Sequence, residues 1–86
     1  MGRRIGFVGI LLENRECAEA VNRVLSGHAD IIEARMGLPR RGTGVSVITL
    51  VVEATTDELG ALTGQLGRIA GVSVKSALAK QGMANE

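Results

Sequence analysis

The chain repeats itself. Residues 5–12 (IGFVGILL) and 45–52 (VSVITLVV) are two short, continuous apolar runs, offset by about forty positions. Each run suits a strand buried on both faces. Each is followed by a helix start: Asn14 in the first half, and in the second a Thr55…Glu58 capping box. A helical stripe comes next, Cys17, Val21, Val24 and Leu25, then Leu59, Leu62, Leu66 and Ile69. Gly27 and Gly71 punctuate the stripes, Gly27 as a residue that tolerates a left-handed helix end. Each half closes on an alternating segment. Asp30, Ile32, Ala34 and Met36 alternate with Ile31, Glu33 and Arg35 as a half-buried strand. Val72, Val74, Ser76 and Leu78 alternate with Ser73, Lys75 and Ala77. Residues 39–44 (PRRGTG) are a turn-rich connector between the halves.

A β-α-β unit used twice gives the order βαββαβ. Strands one and three are apolar on both faces and belong in the middle of a sheet; two and four alternate and belong at its edges. Joined by right-handed crossovers, they form a four-stranded antiparallel sheet in the order 4-1-3-2, with two helices on one face. This is an α+β, ferredoxin-like sandwich. One domain spans 1–86, with an ordered core of about 4–80 and a tail at 81–86.

Because helices cover one side only, the central strands must offer apolar side chains to the other. Either Val45, Val47 and Val51 or Ile48, Leu50 and Val52 point there. Composition presses the same way. Of 86 residues 45% are apolar, yet Phe7 is the lone aromatic, so the core is aliphatic. A chain this short buries only about 60–65% of its unfolded surface. An uncovered aliphatic face marks an interface. The expected partner is a second copy of the chain, in a homodimer or higher oligomer with sheets stacked or paired edge to edge; a monomer with exposed valines is the plainer alternative.

The formal charge is +1, from ten Lys+Arg against nine Asp+Glu. No strong basic field exists for nucleic acid, and no Trp or Tyr offers a stacking platform. Cys17 is the single cysteine, which excludes an internal disulfide and suits a reducing cytoplasm. One Cys and one His cannot close a zinc site, so no metal or cofactor is expected. Arg3-Arg4 precedes the first apolar run, but Glu13-Asn14-Arg15-Glu16 follows it, so the run reads as a strand and not as a secretion signal. No stretch approaches the roughly 18 apolar residues of a membrane span.

Catalytic residues are scarce. His28 reads as a solvated or capping histidine, and Cys17 as a buried inert thiol on the helical stripe. Glu13 and Glu16 serve the helix dipole. Glu13, Asn14 and Arg15 form the leading candidate ligand site, because they sit at the end of a central strand where the next helix exposes its N–H groups. A plain helix cap beside a solvated Arg15 is the alternative. Arg35, with Met36, Gly37 and Leu38, forms a second cluster. Arg40 and Arg41 are either anion-binding or a solvated loop tip. Gly60, Gly64 and Gly67 weaken the second helix, and would admit the close approach of the sheet or of another subunit.

The pattern Asp57-x-Leu59-x-x-Leu62-x-x-x-Leu66-x-x-Ile69-x-Gly71-Val72 resembles the helix-to-strand signature of ACT-like regulatory domains, and of the effector domains of leucine-responsive and nickel-responsive regulators. From about Arg4 to Lys80 the chain is similar to a small family of free-standing ACT-like proteins labelled regulators of the iron-only hydrogenase system. The segments that carry this are Glu13-Asn14-Arg15, Asp30-Ile31-Ile32 through Pro39, and Leu62-Thr63-Gly64-x-Leu66-Gly67. The resemblance implies an oligomeric, cytoplasmic regulatory domain that binds a small effector such as an amino acid, or a partner protein. It implies no nickel site, since nickel-responsive regulators use several His. Only four residues precede strand one, so no separate DNA-binding segment is expected.

Three functions follow. The first is a regulatory binding module in which Arg15 holds a carboxylate and Asn14 a polar head group. The second is a structural assembly partner with no ligand. The third is an acylphosphatase-like hydrolase using Asn14 and Arg15, which would lack the glycine-rich phosphate cradle.

Overall fold

A computed structural model describes residues 2–39 and 44–80. Strand β1 is Arg4–Leu12, followed by a 3-10 turn (Arg15–Cys17) and helix α1 (Ala18–Gly27). A second 3-10 turn (Ala29–Ile31) leads into β2 (Ile32–Leu38). Then come β3 (Ser46–Ala54), α2 (Thr56–Gly67) and β4 (Val72–Leu78). The sheet order is β2-β3-β1-β4, all antiparallel, which is the expected ferredoxin-like βαββαβ arrangement.

The register explains which side is covered. Val8, Ile10 and Leu12 of β1 and Ile48, Leu50, Val52 and Ala54 of β3 are buried on one face. Val21 and Leu25 of α1, and Leu59, Leu62 and Leu66 of α2, pack onto them in one core. Both helices therefore lie on the same face. The capping box is present: Thr55 Oγ1 accepts from the Glu58 N–H at 3.1 Å, and the Thr55 N–H donates to Glu58 Oε1 at 2.8 Å.

The first half departs from its expected pattern in three places. Asn14 caps a 3-10 turn, which then opens into α1. Gly27 is the last helical residue but is not left-handed; among the described residues only Gly44 and Gly71 have positive φ. The chain leaves α1 through the second 3-10 turn, which needs no such residue. Strand β2 is also not half-buried by simple alternation. Asp30 and Ile31 belong to the turn, and Ile31, expected on the polar side, is the buried residue. The register then shifts between Ile32 and Ala34, so Ile32 pairs with Val52 on the covered side and Ala34 with Val51 on the open side. From Glu33 to Leu38 every residue is exposed.

The second helix's glycines do not approach the sheet. A Cβ at Gly60, Gly64 or Gly67 would meet nothing within 4 Å.

Candidate functional site

The loop after β1 is held by its backbone and one side chain. The Glu13 N–H donates to the Gly71 carbonyl at 2.8 Å, which ties the exit of β1 to the entry of β4. Asn14 Oδ1 accepts from the Cys17 N–H at 3.2 Å, and the Cys17 thiol lies 3.0 Å from the Asn14 carbonyl oxygen. Gly71 must turn left-handed here (φ +84°), and a Cβ on it would come within 3.0 Å of Asn14 Nδ2. Asn14 is thus a shaping residue. Glu13 and Arg15 are exposed on either side of it.

Arg35 is not brought to this loop. It lies within β2, at the far edge of the sheet, and its Nη2 donates to Asn22 Oδ1 of α1 at 3.0 Å. Arg40 and Arg41 fall outside the described residues. His28 Nε2 is 3.2 Å from Gln65 Oε1, joining the end of α1 to α2. Cys17 is buried at the start of the helical stripe.

Arg3 and Arg4 carry more than the sequence suggested. Arg3 grips Glu58 with two hydrogen bonds, Nε to Oε1 at 3.0 Å and Nη2 to Oε2 at 2.7 Å, and also reaches Asp30 at 3.3 Å. The two bonds from Arg3 to Glu58, with the Thr55 backbone N–H, lower the pKa of the Glu58 carboxyl to about 2. Arg4 donates to the Ala79 carbonyl and the Thr56 hydroxyl, both at 3.0 Å. The two arginines clamp the start of β1 onto α2 and the end of β4. Only their long-range partners reveal this, so no local spacing signals it.

The largest feature is the uncovered face of the sheet. Ile5, Phe7, Leu11, Met36, Leu38 and Val51 are 40–72% exposed, and the register places all six on this one side. Val47 joins them, as one of the two alternatives read from the sequence. Beside the β1–β4 pair, Ile5, Phe7, Ala77 and Ala79 border a shallow apolar groove of about 350 Å³.

The TM1266-like family model, described as "Iron-only hydrogenase system regulator, putative", matches residues 4–76. The chain belongs to that family. A solved structure of an uncharacterized family protein from Thermotoga maritima is 38% identical, with 91% of this chain and 99% of that one covered, at a TM-score of 0.85. The fold is shared more widely. The ACT domain of a GTP pyrophosphokinase from Chlorobium tepidum is 17% identical, covering 87% of this chain and 99% of that one (TM-score 0.66). The C-terminal domain of MgtC from Mycobacterium tuberculosis is 15% identical over 96% and 95% (TM-score 0.72). No curated protein matches the chain. No helix among the described residues is long and apolar enough to cross a membrane.

Proposed function

We propose that this chain is a self-associating regulatory binding module of the cytoplasm, acting on an iron-only hydrogenase system by binding and not by catalysis. The observation that carries the reading is the clustering, on one sheet face, of the six large exposed hydrophobics among the described residues, which a chain with no partner would leave in water. The family supplies the regulatory context.

The loop Glu13-Asn14-Arg15 is the proposed effector site. Its shape is fixed by the Gly71 carbonyl and by the Asn14 cap, while Arg15 is exposed. Arg15 holds a carboxylate such as that of an amino acid, because a guanidinium matches carboxylate geometry with two parallel donors. Glu13, and the part of the Asn14 amide not used by the cap, meet the polar head group. Arg35, engaged on α1, takes no part unless a neighbouring copy brings it there. The hydrolase alternative loses support, since it needs Asn14 to position water and Asn14 caps a turn.

A thermal-shift panel of amino acids, nucleotides and metal ions tests the effector site. The expected result is stabilisation by a carboxylate-bearing compound that disappears in Arg15→Ala. A flat response across the panel removes the effector and leaves a module that docks on or assembles with protein alone.

A further inference from the structure

We propose that the open sheet face binds a second copy of this chain face to face, with the hollow over Gly9 as the socket for a partner side chain. The inference rests on the self-association proposed above and assigns it a surface.

Gly9 lies mid-strand in β1, between Thr49 of β3 and Lys75 of β4, with Phe7 and Leu11 flanking it on the same face. A glycine inside a central strand weakens it, and marks a place where another backbone or ligand comes close. Nothing among the described residues requires glycine there. Its φ is not positive, and an added Cβ would meet only the Lys75 carbonyl oxygen, at 3.8 Å, an ordinary contact. Gly6, three residues earlier, is the contrast: a Cβ there would run into the Ala77 carbonyl oxygen. The space over Gly6 is filled by the chain itself; the space over Gly9 is left open.

The face supplies its own counterpart. Phe7 and Leu11 stand as ridges beside the Gly9 hollow, so a two-fold axis seats a ridge of each copy in the hollow of the other. Stacked sheets pack by interdigitation of this kind. At about 200 Å² for a large side chain, six exposed by about half leave roughly 600 Å² of apolar surface on each copy. Two copies would bury roughly 1,200 Å², the lower bound of a specific interface. The register places one acidic and one basic residue on the face, Glu53 and Lys75, so two copies meet without net like-charge repulsion.

Size-exclusion chromatography with light scattering, on folded samples checked by circular dichroism, decides the matter. The unaltered chain is expected as a dimer or an even multiple of it. Gly9→Leu plugs the hollow and Phe7→Glu charges a ridge. Each counts twice across a two-fold, and each is expected to raise the dissociation constant about 30-fold or more. Gly64→Ala, on the outer side of α2, is expected to leave the assembly unchanged. If Gly9→Leu fails to fold, Phe7→Glu alone decides. Folded variants that keep the unaltered stoichiometry overturn this surface and move association to the β2 or β4 edge, leaving the self-associating module intact. An unaltered chain that is monomeric at every concentration overturns both.

Discussion

The two faces of one sheet share their strands and little else. On the covered face Val8, Ile10, Leu50 and Val52 have no exposed surface. On the other, neighbours one residue along the same strands, Phe7, Leu11 and Val51, are about half exposed. Strand pleating puts the two sets on opposite sides, so the difference comes from what packs on the sheet and not from residue type. Two helices pack on the first face and nothing among the described residues packs on the second, which is the contrast behind the proposal that a second copy completes it.

The sharpest test of that contrast is to truncate one residue on each face, in the Phe7→Glu background where the chain is expected to be monomeric. Leu50→Ala is expected to cost about 2–5 kcal/mol in denaturant unfolding, because it opens a cavity under both helices. Met36→Thr, at a site 72% exposed, is expected to change stability by no more than about 0.5 kcal/mol. Equal costs would mean that the open face is buried within the monomer, which would break the comparison.

The outer side of α2 is a third surface, exposed but not apolar. Gly64→Ala there is expected to stabilise the chain by up to about 1 kcal/mol, read from the denaturation midpoint, since the helix gains propensity and the new methyl meets no neighbour. Loss of stability or of assembly in that variant would make α2 an interface too.

The smallest effect concerns the clamp that closes the covered layer. Glu58 titrates at about 2 in the folded chain, against 4.5 for an ordinary glutamate, because Arg3 and the Thr55 N–H hold its charged form. A depressed folded value means the contribution is complete above about 4.5 and is lost as pH falls toward 2. Thermal midpoints should therefore drop on acidification through that window, less steeply in Glu58→Gln. The same slope in both would place the acid sensitivity elsewhere.

Much of this was legible in the residues. Doubly apolar 5–12 and 45–52 placed β1 and β3 centrally, and Thr55 with Glu58 fixed the start of α2. Strand β2 was misread because the Ile32–Ala34 register shift is a property of pairing with β3, and alternation alone cannot show it. The role of Asn14 was half legible: its capping oxygen follows from its type, whereas its place against left-handed Gly71 depends on a contact 57 positions away. The second candidate cluster stays apart from the loop for the same kind of reason: Arg35 sits on edge strand β2 and donates to Asn22 of α1. The open face was visible as a surplus of apolar residues, with Val47 and Val51 as one of two alternatives. Choosing between them required knowing which side the helices take.

Native mass spectrometry of the unaltered chain beside Phe7→Glu, at one concentration, reads the central claim directly. The account predicts a dimer or its even multiple for the first and half that number of subunits or fewer for the second. The same number of subunits in both, whether one or several, would contradict it.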